Sequence, residues 1–154
     1  MNNFKLTELN QFYIIGISIR TTNVNNKSLK DIGELFGKFI GQNISDIIPN
    51  KLTDDIYCVY TDYESDFKGP YTTIIGCKVV SLEDTPAGLI GKMIPDSKYQ
   101  VYKSTGNLTV NLGKTWEGIW RSDISRRYSA DFDIYGEKAR DIENAEVDTY
   151  VAVN

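Results

Sequence analysis

The stretch Gln-Phe-Tyr-Ile-Ile-Gly-Ile-Ser-Ile-Arg, residues 11–20, is the starting point for the fold. Its run of β-branched and aromatic residues predicts a strand. An amphipathic helix is predicted at 28–41, followed by strands at 56–63 and 71–80. A similar order returns in the second half of the chain, where the elements are predicted at 92–104, 110–124, 130–135 and 146–153. The chain therefore repeats a strand–helix–strand–strand unit.

This repetition predicts an α+β fold built from two βαββ halves related by a pseudo-twofold axis. The halves cover approximately 1–82 and 83–154, within a single domain of 154 residues that is long enough to bury its own core. The seam between two such halves is a natural place for a pocket lined by both. A small-molecule-binding protein is therefore the leading hypothesis.

The amino-acid composition limits the class of protein to which this chain can belong. The 41% hydrophobic and 25% charged fractions are typical of a soluble globular protein, and no apolar run approaches the roughly 20 residues of a membrane span. The N-terminal residues lack the pattern of a signal peptide, so the expected location is the cytoplasm. Cys58 and Cys77 lie in apolar strand patterns, which predicts two buried thiols rather than a disulfide.

Charge and the missing histidine exclude several functions. The net charge of −4 disfavours direct binding to nucleic acid. The one basic cluster, Arg121, Arg126 and Arg127, is assigned to the end of the second helix, where cations complement the helix dipole. With no histidine in the chain, nucleophile systems that need His and metal sites that contain His are excluded. No metal and no cofactor are expected.

Both helices have an apolar face. In the first, Ser28 and Asp31 predict a capping box, and the core face consists of Leu29, Ile32, Phe36, Phe39 and Ile40. In the second, the stripe consists of Leu112, Trp116, Ile119 and Trp120. Ordinary core packing explains this stripe most simply. The alternative is that the two tryptophans border a cavity, because an indole N–H needs a partner when it is buried.

Ten tyrosines are present, and most lie in predicted strands. Strand preference alone could explain them. The alternative is an aromatic cage for an organic cation, in which each ring contact contributes roughly 0.5–2 kcal/mol. Alternation along a strand separates Tyr57 from Tyr60, and Tyr99 from Tyr102, onto opposite faces. Only some of the ten can therefore line any one pocket.

Asp133 is the carboxylate of greatest interest. If residues 130–135 form a strand, then Asp131, Asp133 and Tyr135 share one face. On alternation alone, a solvated face with no function is the simpler interpretation. The alternative places Asp133 at the bottom of an aromatic-walled cavity, where burial would raise its pKa unless a cation compensated the charge.

Several segments resemble the GyrI-like effector-binding domains, a family that includes the ligand domains of AraC-type and MerR-type regulators and stand-alone proteins. The resemblance covers nearly the whole chain, and its first segment is similar to the stand-alone, single-domain members. It depends on Tyr60-Thr-Asp-Tyr-Glu-Ser-Asp-Phe-Lys-Gly-Pro-Tyr71, Ile75-Gly76, Val79, Tyr99-Gln-Val-Tyr-Lys-Ser-Thr-Gly106, Trp116 to Trp120, and Phe132-Asp-Ile-Tyr135.

This resemblance implies a concave antiparallel sheet, two main helices, and a ligand cleft between the halves. In ligand-sensing relatives a buried glutamate meets lipophilic cations among aromatic rings, and the matching position here is Asp133, one methylene shorter. The expected ligand is thus a lipophilic or aromatic cation, with Asp133 as the anchor and Trp116, Trp120, Tyr71 and Tyr99 as candidate walls. Should the anchor lie elsewhere, the next candidates are Glu64, Asp66 and Glu137.

The resemblance also leaves other functions open. Non-enzymatic binding, linked to transcription regulation or to multidrug sensing, is the leading interpretation. Some relatives hydrolyse reactive cyclopropane-bearing compounds, and here such an activity would use Asp133 and a tyrosine. Gyrase-inhibiting relatives suggest a third function, the binding of a protein partner.

Overall fold

The computed structural model describes residues 4–140 and 145–154. Within these ranges the α-helices are α1 (Lys27–Gly41), the short α2 (Ile44–Ile47) and α3 (Leu108–Arg121). The strands are β1 (Phe4–Leu9), β2 (Phe12–Thr21), β3 (Ile56–Thr61), β4 (Tyr71–Val79), β5 (Ile90–Ile94), β6 (Ser97–Thr105), β7 (Ala130–Tyr135) and β8 (Glu146–Val153). Each helix in the described ranges is too short or too polar to cross a membrane.

All the strands belong to one antiparallel sheet with the order β1-β6-β8-β7-β3-β4-β2-β5. The predicted α+β fold with two βαββ halves is confirmed: β2-α1-β3-β4 forms the first half and β6-α3-β7-β8 the second. Each half begins with an additional strand that pairs with the other half, since β1 lies beside β6 and β5 beside β2. Corresponding strands of the two halves therefore follow in the same order from the two ends of the sheet, as a pseudo-twofold axis requires.

The sheet is strongly curled. β1 and β2 occupy the first and seventh positions in the strand order, yet only Asn10 and Gln11 separate them along the chain. Three residue steps span at most about 11 Å, whereas six strand spacings in a flat sheet would cover about 29 Å. The two ends of the sheet must therefore approach each other. Pro95 and Asp96 link β5 to β6 across the same gap.

One core cluster fills the inside of this curl. Phe12 of β2 and Phe132 of β7 are three strands apart in the order, yet their ring centroids lie only 5.4 Å apart. The buried members of this inner cluster are Phe12, Ile14, Tyr57, Val59, Ile74, Ile94, Tyr99, Val101, Ala130, Phe132 and Ala152. This face of the sheet is solidly packed.

Both main helices pack on the opposite face. Leu35 and Phe39 of α1 are buried against Ile15 and Ile75 of the sheet, and Ile119 of α3 is buried in a smaller cluster beneath that helix. Cys58 and Cys77, also on this face, are buried and free. The central strands are therefore covered on both sides, which explains the almost continuous burial of β4.

The start of α1 differs from the predicted capping box. The helix begins at Lys27, and its N-cap residue, Asn26, has a left-handed backbone and makes no side-chain capping bond. Ser28 therefore lies inside the helix, where its hydroxyl donates a hydrogen bond to Asn23. Asp31 accepts a hydrogen bond from Thr21 of β2 instead of capping a backbone N–H. These side chains join the helix to the sheet.

Several element boundaries and two core assignments also differ from the prediction. The predicted strand at 92–104 is two strands, β5 and β6, because Pro95 has no N–H for the ladder and breaks the run. The strand β1 was not predicted, and α3 begins and ends slightly earlier than expected. Leu29 and Ile40 of α1 were predicted to be core residues, but they are 74% and 58% exposed because the buried stripe is narrower.

Gly16 and Gly76 face each other across β2 and β4. A methyl group on Gly16 would overlap the carbonyl oxygen of Ile75 and would meet the Gly76 Cα at 2.6 Å. Gly16→Ala is therefore expected to lower the free energy of unfolding by about 1–3 kcal/mol, as measured by urea titration. The matched control is Gly37→Ala on α1, where the added methyl group would meet no described residue within 4 Å apart from its chain neighbours and the backbone of its own helix. Greater helix propensity should make that variant more stable by up to about 1 kcal/mol. Equal stability of the two variants would contradict this close approach.

Candidate functional site

A cavity of about 340 Å³ lies between α1 and α3, above the helix-bearing face of the sheet. Both halves of the chain contribute to its walls. The first half supplies the start of α1, part of β3 and the loop that follows β3, while the second supplies one side of α3 and the link between α3 and β7. The cavity therefore lies at the seam between the halves, and its volume is in the range of ligand-binding sites.

The cavity walls are largely aromatic. The rings come from Tyr60, Tyr63, Phe67, Tyr71, Trp116, Trp120 and Tyr135. Trp116 meets Tyr60 edge to face, with centroids 5.2 Å apart. Phe67 and Trp120, one from each half, are parallel to within 4° at 5.9 Å. Trp116, Trp120 and Tyr71, three of the candidate walls, thus lie around one cavity.

The carboxylate of Asp133 lies behind two of these rings and has no exposed surface. Its Oδ2 accepts a hydrogen bond of 2.6 Å from the Tyr60 hydroxyl. The Trp116 indole N–H donates to both carboxylate oxygens at 3.2 and 3.3 Å, and Thr149 donates to Oδ1. Asp133 therefore does not form the cavity surface but lies directly behind it.

Burial determines the acidity of this group. Loss of water raises the pKa of Asp133 to about 6, although the hydrogen bonds from Thr149, Tyr60 and Trp116 partly oppose the shift. Burial, together with the nearby Asp133 charge, also raises the pKa of Tyr60. The Tyr60 hydroxyl therefore remains a proton donor to the carboxylate. At neutral pH the larger fraction of Asp133 is negatively charged.

A buried ion pair lies beside the same cavity. The Arg126 guanidinium donates to Asp131 with an Nη2–Oδ2 distance of 2.7 Å, and the two side chains are 4% and 0% exposed. The Tyr63 hydroxyl donates to Oδ2 of Asp131 at 2.6 Å, and the backbone N–H of Ala152 donates to Oδ1 at 2.8 Å. Burial opposes the Arg126 charge, but the Asp131 carboxylate keeps the pKa of Arg126 above its ordinary value.

A polar network closes the cavity near the start of α1. Asn23 Oδ1 accepts hydrogen bonds from the Tyr71 hydroxyl at 2.6 Å and from the Ser28 hydroxyl at 2.9 Å. The Asn23 amide group donates to the Phe67 carbonyl oxygen at 2.9 Å. Asn23 therefore holds one aromatic wall, the helix and the Phe67 loop in fixed relative positions.

Tyr99, the fourth candidate wall, does not line this cavity. It is fully buried in the inner cluster, where its ring meets Phe132 edge to face at 5.3 Å. Alternation along β6 explains the difference, because Tyr99 and Val101 point into the curl while Tyr102 points toward α3. The reserve carboxylates Glu64, Asp66 and Glu137 also lie outside the cavity lining, which contains Glu117 instead.

Arg126, Asp131 and Asn23 were not among the site residues predicted from the sequence. Arg126 was assigned to a helix end, but α3 ends at Arg121 and Arg126 belongs to the following link. The sequence did contain one indication of this role, because the oppositely charged Asp131 follows Arg126 by five residues. Within the described ranges, no group of three or more Asp, Glu, Cys or His side chains is placed to hold a metal ion.

Comparison with known proteins gives matches that extend over nearly the whole chain. The family described as integron-associated effector binding protein, Cass2, matches residues 5–153. The Bacillus subtilis protein named "Putative transcriptional regulator protein YobU" is 28% identical over 153 residues, and the match covers 96% of each chain.

Two solved structures also match nearly the whole chain. The integron cassette protein VCH_CASS2 of Vibrio cholerae has a TM-score of 0.77 at 25% identity and covers 99% of this chain and 97% of its own. SAV2435, solved with bound tetraphenylphosphonium, has a TM-score of 0.80 at 15% identity and covers 99% of this chain and 94% of its own. At that identity, the match to SAV2435 shows a shared fold.

Proposed function

Because this chain belongs to the Cass2 family of integron-associated effector-binding proteins and resembles the GyrI-like domains, we propose that it binds an aromatic organic cation between α1 and α3. The observation that supports this most directly is the position of Asp133, a buried carboxylate behind the aromatic wall formed by Tyr60 and Trp116. The binding of tetraphenylphosphonium by SAV2435, which has the same fold, agrees with a ligand of this class.

Charge favours a cation over an anion at this site. The Asp131 charge is compensated by Arg126, whereas the hydrogen-bond partners of Asp133 in the described part of the chain are neutral. Two opposite unit charges about 7 Å apart attract by roughly 2 kcal/mol at an effective dielectric constant of 20. A ligand cation in the cavity would thus gain a favourable interaction that an anion would not.

The aromatic walls supply the remaining interaction. Each ring face that meets a cation contributes roughly 0.5–2 kcal/mol, and burial of apolar ligand surface adds about 25 cal/mol per Å². Hydrolysis would need a carboxylate oxygen that is free to activate water. Both oxygens of Asp133 already accept hydrogen bonds, which favours binding over catalysis.

Tetraphenylphosphonium at 100 times its dissociation constant should stabilise the protein by about 2.7 kcal/mol. For a chain of this size we expect the thermal midpoint to rise by roughly 5–10 °C. Asp133→Asn removes the charge but retains the shape, so affinity should fall by about tenfold, which corresponds to about 1.4 kcal/mol. Isothermal titration calorimetry at pH 7.5 gives the affinities directly.

The matched control is Asp148→Asn on β8, where the side chain is 42% exposed beside Lys103. This variant should bind tetraphenylphosphonium as the wild type does. A wild-type protein that binds none of the cation would contradict the proposed function. Equal affinity of the Asp133→Asn and Asp148→Asn variants would remove Asp133 from the binding mechanism.

We extend the proposal to the cellular role in three respects. A link to transcription regulation or drug sensing is supported by the similarity to the protein named YobU. A cytoplasmic location is supported by the free thiols of Cys58 and Cys77, which are typical of a reducing compartment. The net charge of −4 favours action through a ligand or a protein partner over direct DNA contact.

A further inference from the structure

Arg126 has more hydrogen-bonding capacity than the protein uses. Its side chain is 4% exposed, and Nη2 donates to Asp131 and, at 3.5 Å, toward the Tyr63 hydroxyl. Nε and Nη1 are buried and have no hydrogen-bond partner among the residues that the structure describes. Buried N–H groups on a charged side chain are costly when they are left unsatisfied. Arg126 also lines the cavity, so its unused N–H donors belong to the same site.

We propose that Arg126 is a second recognition point in the cavity and binds a carboxylate carried by the same aromatic cation. The proposal depends on the function proposed above, because it concerns one ligand in one cavity. Each of these two nitrogens shares an edge of the planar guanidinium with Nη2, and the two parallel N–H donors on such an edge match the two oxygens of a carboxylate. The ligand would then be zwitterionic, with its cationic part near Asp133 and its anionic part near Arg126.

The surroundings of Arg126 hold the guanidinium in place. Its central carbon lies 4.4 Å from the centroid of the Tyr128 ring and 5.9 Å from the ring centroids of Tyr63 and Trp116. Tyr128 has a φ of 58°, in the left-handed region that a tyrosine rarely adopts. This strained backbone brings the tyrosine ring against the guanidinium. Strained residues of this kind are concentrated at binding sites.

Access to the two N–H groups requires a local movement. Neither atom is exposed to water, and Tyr63 and Trp116 line the cavity beside them. Tyr63 is held by its 2.6 Å hydrogen bond to Asp131, whereas the hydrogen bonds of Trp116 to Asp133 are long, at 3.2 and 3.3 Å. The proposal therefore requires Trp116, the more weakly held of the two rings, to move when the carboxylate binds.

The net charge of the site limits which ligand fits. Asp131 and Asp133 together carry two negative charges against the single positive charge of Arg126 when Asp133 is ionised. An anion without a cationic group would be repelled, while a cation without a carboxylate would leave Nε and Nη1 unsatisfied. A ligand with both groups satisfies the two charged positions at once.

The test uses two probes of equal length: pentyltriphenylphosphonium and (4-carboxybutyl)triphenylphosphonium, titrated by calorimetry at pH 7.5. In the wild type, the carboxylated probe should bind about tenfold more tightly than the alkyl probe. Arg126→Lys keeps a charge opposite Asp131 but lacks the planar pair of donors, so the preference should fall to less than about threefold. The control is Arg127→Lys at the neighbouring exposed position, which should keep the full preference. Urea unfolding establishes that Arg126→Lys is folded.

Three outcomes are possible besides the expected one. Equal wild-type affinity for the two probes overturns the role of Arg126 and leaves cation binding intact. If Arg126→Lys lowers the affinity for both probes equally, the role of Arg126 is also overturned, because a change in packing would weaken the binding of both probes. Failure of both probes to bind the wild type overturns the proposed function, and the role of Arg126 with it.

Discussion

Replacement of Arg126 by methionine is expected to lower the free energy of unfolding by about 3–5 kcal/mol. The change leaves Asp131 fully buried and without its cationic partner, because its remaining hydrogen bonds within the described ranges come from the Tyr63 hydroxyl and the Ala152 N–H, which are both neutral. An uncompensated charge in such a position is among the most costly single changes in a protein. Urea unfolding at pH 7.5, monitored by tryptophan fluorescence, measures the loss.

Two further variants identify the cause of this loss. Arg126→Met combined with Asp131→Asn removes both charges but retains an acceptor for Tyr63 and Ala152, so it should recover at least half of the lost stability. Arg121→Met, at the exposed end of α3, should change stability by less than about 0.5 kcal/mol. A loss below about 1 kcal/mol in Arg126→Met itself would show that Asp131 does not need the ion pair.

The stability of the wild type relative to Asp133→Asn is expected to increase as the pH falls. The folded-state pKa of Asp133 is about 6, above the ordinary value of 3.8, so the folded protein binds the proton more tightly than the unfolded chain does. The ionised group therefore costs the folded state about 3 kcal/mol above pH 6. This cost decreases as the pH falls through 6 and is absent below about 3.8, where both states are protonated.

Urea titrations at several pH values measure this dependence. The difference in unfolding free energy between wild type and Asp133→Asn should increase by about 1 kcal/mol between pH 7.5 and pH 5. The same comparison with Asp148→Asn, at its partly exposed position, separates the effect from a general Asp-to-Asn change. A difference that stays constant over this range would mean that Asp133 titrates as an ordinary carboxyl.

The strands were predictable because alternation is a local property. The sequence pattern separated Tyr57 from Tyr60, and Phe132 from Asp133, and the structure has each pair on opposite faces. Alternation does not specify which face bears the helices. Tyr99 was predicted to be a wall of the ligand site, but its face of the strand is the packed interior of the curled sheet.

The site depended more on contacts between distant parts of the chain. Asp131 and Arg126 are close in sequence, but Tyr63 and Ala152 complete the environment of Asp131 from elements far along the chain. Asn23 joins Tyr71, Ser28 and Phe67 in the same way. Such contacts depend on the register and curvature of the whole sheet, which periodicity in one segment cannot specify.

The exchange of first strands between the halves has a further consequence. Either half alone would have an unpaired edge, along β2 in one case and along β6 in the other, because the strand that covers it belongs to the other half. A second copy of the same half could cover that edge by lending its own first strand, as in a domain-swapped homodimer. In the present chain the two halves that would form such a dimer are joined covalently. The connection keeps each half at a high effective concentration near the other. Because the two halves are parts of one chain, their sequences can differ. The first half contributes the Asn23 end of the ligand site, and the second contributes Asp133.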